Sequence, residues 1–277
     1  MALRNVVLIT SVLIVGFCVL LYFQTDDNLD TVNLEQYKNL SYNEERSHSL
    51  SELDKQISPY HIETVIQEIF EKNRLAGEKT RIMEIGIGNG RVLMELKKRF
   101  PEIEFYGINK EKTHTFYRRD SFILTALKFG IFNKQEIDQL ELPYIIFQDL
   151  DFGGAIPYGE EKFDLVFSQN TITHIKYKFE LFNEILRILK PSGLSIHTNF
   201  EGVNIYSKGI VLELRDALGE MRKRGVDVKT LDNPTTIQFK KTNPNQIFTL
   251  EPHQPIPENI TNLPQELRRP EMGYNLK

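Results

Sequence analysis

Residues 81–91 read RIMEIGIGNGR, which sets Glu84 ahead of Gly86, Gly88 and Gly90 at alternate positions. Glycines at that spacing, between an apolar run and a helix-like one, make a tight turn whose bare backbone can approach a ligand, with helix amide dipoles aimed at it. Such a turn suits a nucleotide-like ligand, although it can also do no more than join a strand to a helix. A dinucleotide fingerprint would place its last glycine at position 91, where Arg91 stands. His174, within Thr171-Ile-Thr-His-Ile175, has the chemistry of a general base. The plainer reading, a histidine near a helix start paired with water or backbone, is preferred. The six histidines show neither HExxH nor HxH spacing, and the single cysteine, Cys18, excludes an internal disulfide and a cysteine-rich metal site. No metal is expected.

Composition bounds the rest. A chain of 277 residues that is 40% hydrophobic and 26% charged has the make-up of a folded protein with room for one sizeable domain plus appendages. Its formal charge of -4 argues against a general nucleic-acid binder, so no nucleic-acid partner is expected. Val6 to Phe23 carries no charge, and as a helix it would span roughly 27 Å, close to the hydrocarbon core. Residues 1–23 therefore read as a transmembrane anchor. A cleaved signal peptide fits less well, since Tyr22, Phe23 and Gln24 stand where a small-x-small site would follow. Arg4 precedes the span and Asp26, Asp27 and Asp30 follow it, which favours a cytoplasmic N-terminus with the domain on the lumenal or extracytoplasmic side. The sequons at Asn39 and Asn259 fit that side but do not decide it.

The elements that must position these residues follow from periodicity. Residues 24–57 are polar and read as a stalk, and the domain is expected over 58–242. Ser58-Pro59 reads as an N-cap followed by proline, before a helix with Ile62, Val65, Ile66, Ile69 and Phe70 on one face. Strands are expected at Ile82 to Ile85, Ile103 to Ile108, Tyr144 to Phe147, Phe163 to Phe167 and Leu194 to Thr198. Helices are expected around Val92 to Phe100, Thr113 to Phe129, Lys134 to Leu140, Phe182 to Leu189 and Val211 to Met221. Such alternation implies a parallel sheet covered on both faces. Val226 to Leu231 and Thr235 to Lys241 are separated too briefly for a crossover, so they should pair as an antiparallel hairpin at the sheet edge. The proline-rich stretch 243–277 is expected to be irregular.

Taken together, several segments resemble the class I S-adenosylmethionine-dependent methyltransferases. The register E-x-G-x-G-x-G from Glu84 to Gly90 is similar to that family's first motif, Lys162-Phe-Asp-Leu-Val-Phe-Ser-Gln169 to its FDLV motif, and Glu184 to Gly193 to its RxLKPGG segment. Phe105 to Asn109 and Ile145 to Leu150 resemble the ends of its second and third strands. The resemblance covers about Ser58 to Thr242 and implies a Rossmann-like, doubly wound α/β sheet of about seven strands with a reversed terminal hairpin. It implies S-adenosyl-L-methionine as cofactor. Gly86, Gly88 and Gly90 would accommodate its methionine portion, with Glu84 fixing the turn or the amino group. Asn109 would hold the ribose, Asp149 and Leu150 would frame the adenine, and Gln169 would face cofactor or acceptor. Asn109 departs from the family's usual carboxylate and gives up the stronger charge-assisted bond. Ser192 likewise replaces the first glycine of the PGG turn.

The reading that follows is a membrane-anchored methyltransferase acting on a small-molecule, lipid or protein acceptor. A catalytically inactive domain of the same fold is the alternative, and a nicotinamide dehydrogenase is disfavoured by Arg91 and the terminal hairpin.

Overall fold

The computed structural model describes residues 47–109, 119–147, 156–175, 178–199, 205–207, 210–212, 214–223, 225–231 and 236–242. The anchor at residues 1–23, the tail from 243 onward, and Asp149 with Leu150 lie outside the described residues. Among the described residues no helix is long and apolar enough to cross a membrane.

The chain enters through α1 (Leu50–Ile57), which starts at a reciprocal capping box: the Glu52 N–H donates to Ser49 Oγ at 3.2 Å and the Ser49 N–H donates to Glu52 Oε2 at 2.6 Å. Leu50, Leu53 and Ile57 of this helix are buried in the hydrophobic core. The polar stalk therefore does not extend to residue 57. Three apolar residues in an otherwise charged segment were too few to show a helical period, and burial against the rest of the domain supplies what propensity does not. Nor does Ser58 cap the next helix. The Ser58-Pro59 bond is cis and lies in the connection, while α2 (Ile62–Ala76) begins after His61 and ends at the left-handed Gly77.

From there the expected alternation appears: β1 (Arg81–Ile85), α3 (Arg91–Arg99), β2 (Glu104–Asn109), α4 (Arg119–Lys128), α5 (Lys134–Gln139), β3 (Tyr144–Phe147), β4 (Phe163–Ser168), α6 (Lys178–Ile188) and β5 (Leu189–His197). A short pair, β6 (Ile205–Ser207) and β7 (Ile210–Leu212), then forms its own two-stranded sheet. Val211 lies in that pair and not in α7 (Leu214–Lys223), because a β-branched Ile-Val-Leu run suits a strand better than a helix start. The last strands, β8 (Asp227–Thr230) and β9 (Ile237–Lys240), are the antiparallel hairpin.

The main sheet has the order β3-β2-β1-β4-β5-β9-β8, parallel from β3 to β5 and antiparallel at β9 and β8. Chain order reverses between β1 and β4, so the loops after these two neighbouring strands open side by side at their carboxyl ends. One apolar cluster fills each face, with Met83, Val166 and Phe239 in one and Ile82, Leu165 and Ile196 in the other, as strands buried on both faces require.

Two polar clamps fix the frame away from those loops. Asp164 accepts the Arg81 N–H at 2.9 Å and Lys190 Nζ at 2.8 Å, tying β4 to the start of β1 and to β5. Glu184 and Arg187 form a buried pair: Arg187 Nε donates to Glu184 Oε1 at 2.8 Å, Arg187 Nη2 donates to the Ile156 carbonyl at 2.9 Å, and the Ile156 N–H donates to Glu184 Oε2 at 2.7 Å. The expected turn at Pro191 to Gly193 is instead an irregularity inside β5. Ser192 there takes a left-handed φ of 65° and its N–H bonds to Lys241 O at 2.8 Å.

Removing one member of the Glu184–Arg187 pair leaves an uncompensated buried charge. Arg187→Met and Glu184→Leu should each destabilise the domain by about 3–5 kcal/mol in urea unfolding, while the double variant should lose clearly less than the sum of the two.

Candidate functional site

The glycine turn leaves β1 where its ladder with β2 ends. The Gly86 N–H donates to Ile108 O at 2.7 Å and the Gly90 N–H donates to Ile87 O at 2.7 Å, so the backbone doubles back tightly before α3. Gly86, Gly88 and Gly90 all take left-handed φ values, 75°, 53° and 74°. At Gly86 an added Cβ would lie 2.1 Å from Thr171 Cγ2, and at Gly90 it would lie 2.3 Å from Phe122 Cε1. The space expected to be an open floor for a ligand is thus taken, at these two positions, by the protein's own side chains. Thr171 Oγ1 lies 3.1 Å from Gly86 O and 3.0 Å from Gln169 O, so its one proton locks the turn after β1 to the loop after β4. The middle of the turn is held otherwise. Asn89 Nδ2 donates to Ser47 Oγ at 2.6 Å, and Thr125 Oγ1 of α4 donates to Asn89 O at 2.9 Å.

Glu84, next to last in β1, is 3% exposed and its Oε2 has no hydrogen-bond partner. Burial alone pushes its carboxyl up to about 8. Gln169, just past β4, is also 3% exposed, and both its amide atoms are unpartnered. The strands they end are neighbours, Glu84 being in register with Phe167, two residues before Gln169. Native interiors seldom leave such groups unmet, so a carboxyl and an amide orphaned at adjacent strand ends can receive a polar ligand. Asn109 closes β2 on the other side of β1 from β4, and its Nδ2 donates to Gly88 O at 3.4 Å. Asp149 and Leu150 lie outside the described residues. His174 ends a single 3-10 turn, Ile172–His174, with its side chain exposed and its N–H bonded to Thr171 O at 2.9 Å.

Beyond the expected residues, the structure brings Thr171, Phe122 and Asn89 to the turn, and His197 to the end of β4. His197 is fully buried, with Nδ1 2.8 Å from Ser168 Oγ and Nε2 2.6 Å from Ser195 Oγ. Ser195 Oγ donates to Val166 O at 3.1 Å, so Nε2 carries the proton and Nδ1 accepts from Ser168. Burial holds this imidazole down at about 3, which keeps it neutral and makes it a brace for the end of β4. The only signal in the sequence was the pair of polar residues at alternate positions, Ser195 and His197, in a strand otherwise fit for the core.

Residues 83–197 match the family model described as a methyltransferase domain. That stretch runs from within β1 to the end of β5 and holds Glu84, the three glycines, Asn109 and Gln169. No curated protein matches the chain. Among solved structures, it is similar to a SAM-dependent methyltransferase from Aquifex aeolicus at 16% identity and a TM-score of 0.40, covering 70% of this chain and 97% of that one. It is similar to the cyclase SpnF at 18% identity and 0.39, covering 63% and 62%. Phosphoethanolamine N-methyltransferase 2 from Haemonchus contortus, solved with S-adenosylhomocysteine, gives 21% and 0.36, covering 59% and 38%. Likeness at this level concerns the fold alone.

The buried carboxyl makes a prediction of definite sign. A folded-state pKa raised from 4.5 to about 8 means that the contribution of Glu84 to stability is whole below about pH 4.5 and is lost as pH rises through 8. Glu84→Gln should therefore melt with wild type near pH 4.5 and melt higher at pH 8. At about 1.4 kcal/mol per unit, the gap should reach a few kcal/mol in paired thermal or urea unfolding.

Proposed function

We propose that this chain is an S-adenosylmethionine-dependent methyltransferase that works on an acceptor beside a membrane. The observation that carries the reading is the pair of orphaned buried groups, Glu84 Oε2 and the Gln169 amide, at adjacent strand ends next to the glycine turn. Both groups lie within the stretch that matches a methyltransferase domain.

When bound, the cofactor supplies a methyl group already activated by its sulfonium, so the protein has mainly to align an acceptor and keep water out. In this reading Glu84 offers its carboxylate to a cationic amino group, and the ligand's charge would offset the desolvation that holds the acid protonated. Gln169 orients the ligand with one donor and one acceptor. Gly88 and Asn109 form the edge toward the ribose, and Asp149 with Leu150 frame the base. Gly86 and Gly90 act indirectly, by letting Thr171 and Phe122 pack close enough to set the turn. An exposed His174 is poorly placed to exclude water while taking a proton, so no general base is assigned.

A second reading, a domain of the same fold that binds the cofactor or nothing and transfers no methyl group, draws on two observations. Asn109 stands where a carboxylate is usual, and Thr171 and Phe122 fill the space over two of the glycines. Residues 1–23 are proposed to anchor the chain, with the acceptor a small molecule, lipid or protein group. Protease protection of the domain in sealed vesicles tests the lumenal or extracytoplasmic placement, which digestion from the cytosolic side would reverse.

Calorimetry with S-adenosylhomocysteine should show binding to wild type and none to the Glu84→Ala, Gly88→Val double variant; equal binding would remove the site from this place. Incubation with labelled S-adenosylmethionine and membrane extract should label an acceptor, whereas binding without transfer would favour the second reading.

A further inference from the structure

The loop that carries Gln169 is held from outside the matched domain stretch. Thr198 Oγ1 donates to Gln56 Oε1 at 2.8 Å, Gln56 Nε2 donates to Asn170 Oδ1 at 3.1 Å, and Asn170 Nδ2 lies 3.2 Å from His48 Nε2. The Asn170 N–H returns to Thr198 Oγ1 at 3.2 Å, so Gln56, Asn170 and Thr198 close a ring. Each amide's orientation is fixed by its neighbour, and the ring leaves His48 Nε2 as an acceptor. Thr236 Oγ1 donates to the Gln56 carbonyl at 2.9 Å, anchoring the last turn of α1 on the start of β9. Asn170 sits at a φ of 53°, a conformation that asparagine tolerates but that needs holding. Its two chain neighbours are Gln169, whose buried amide is unpartnered, and Thr171, which locks onto the turn after β1.

We propose that Gln56 is a positioning residue: it pins Asn170 in the left-handed region and so presents the Gln169 amide to the ligand, acting from a helix that precedes the methyltransferase-like stretch. The proposal rests on the reading of Gln169 as ligand-facing. A glutamine suits this post because one side chain must accept from Thr198 and donate to Asn170 at once; methionine preserves its size and helix propensity and can do neither.

The test compares Gln56→Met with Asp54→Ala. Asp54 accepts the Ile62 N–H at 2.8 Å, so its loss loosens the join of α1 to α2 without touching the ring. Two neutral hydrogen bonds lost from the loop should weaken S-adenosylhomocysteine binding by about ten-fold or more in Gln56→Met. Asp54→Ala should lower the melting temperature and leave affinity within about two-fold of wild type. Asn170→Gly tolerates the same φ without strain and should reproduce the loss, while its double variant with Gln56→Met should be no worse than either single change. Equal losses in Gln56→Met and Asp54→Ala, or additive losses in the double variant, would overturn the proposal.

Amide hydrogen exchange gives a readout that needs no ligand. Asn170 and His174 should lose protection in Gln56→Met and keep it in Asp54→Ala. Unchanged exchange in Gln56→Met would sink the clamp, whereas a wild-type chain that binds no S-adenosylhomocysteine would sink the methyltransferase reading on which the ligand half depends.

Discussion

A carboxyl group buried at the end of a parallel strand, with one oxygen unmet, is expensive to keep. Glu84 is in that position, and burial raises its carboxyl to about 8. A protein can tolerate such a group if it stays protonated when the site is empty or if something arrives to share its charge. Much of the surrounding architecture makes sense as the means of holding that group, and the Gln169 amide beside it, where solvent cannot satisfy them.

The sheet order does most of the positioning. Because β1 and β4 are neighbours while their following segments lead to different parts of the domain, their two loops meet at the reversal point. Thr171 over Gly86 and Phe122 over Gly90 weld the first turn to its neighbours at distances that no Cβ would allow. His197, neutral between Ser168 and Ser195, braces β4 from below, and the ring of Gln56, Asn170 and Thr198 braces the loop beyond it. The motif-like residues Asp164, Glu184, Arg187 and Lys190 act at other places, as clamps that keep strand and helix ends in register. Chemistry and scaffold are therefore divided among the segments that resemble family motifs.

How far the sequence could be read depended on the range of the interaction. Strands buried on both faces announce themselves as apolar runs, and Tyr144–Phe147 was found at its exact limits. The hairpin was legible because so short a connection leaves no room for a crossover. Glu84 and the glycines were visible as a local pattern, but the reason for Gly86 and Gly90 was not, since Thr171 and Phe122 reach them from distant positions. Helix α1 was missed for the same cause: its apolar face is only three residues, and its polar contacts lie as far along the chain as Thr198 and Thr236. Gln56, Asn170 and Thr198 are unremarkable letters until folding sets them in one ring.

Carboxyl infrared spectroscopy addresses the central claim most directly, because it sees the Glu84 proton itself. Near pH 7 the wild-type chain should show a protonated-carboxyl band that Glu84→Gln lacks, and saturating S-adenosylhomocysteine should abolish that band as its amino group takes up the charge. A band that persists unchanged at saturation, or a wild-type spectrum indistinguishable from that of Glu84→Gln, would contradict the account.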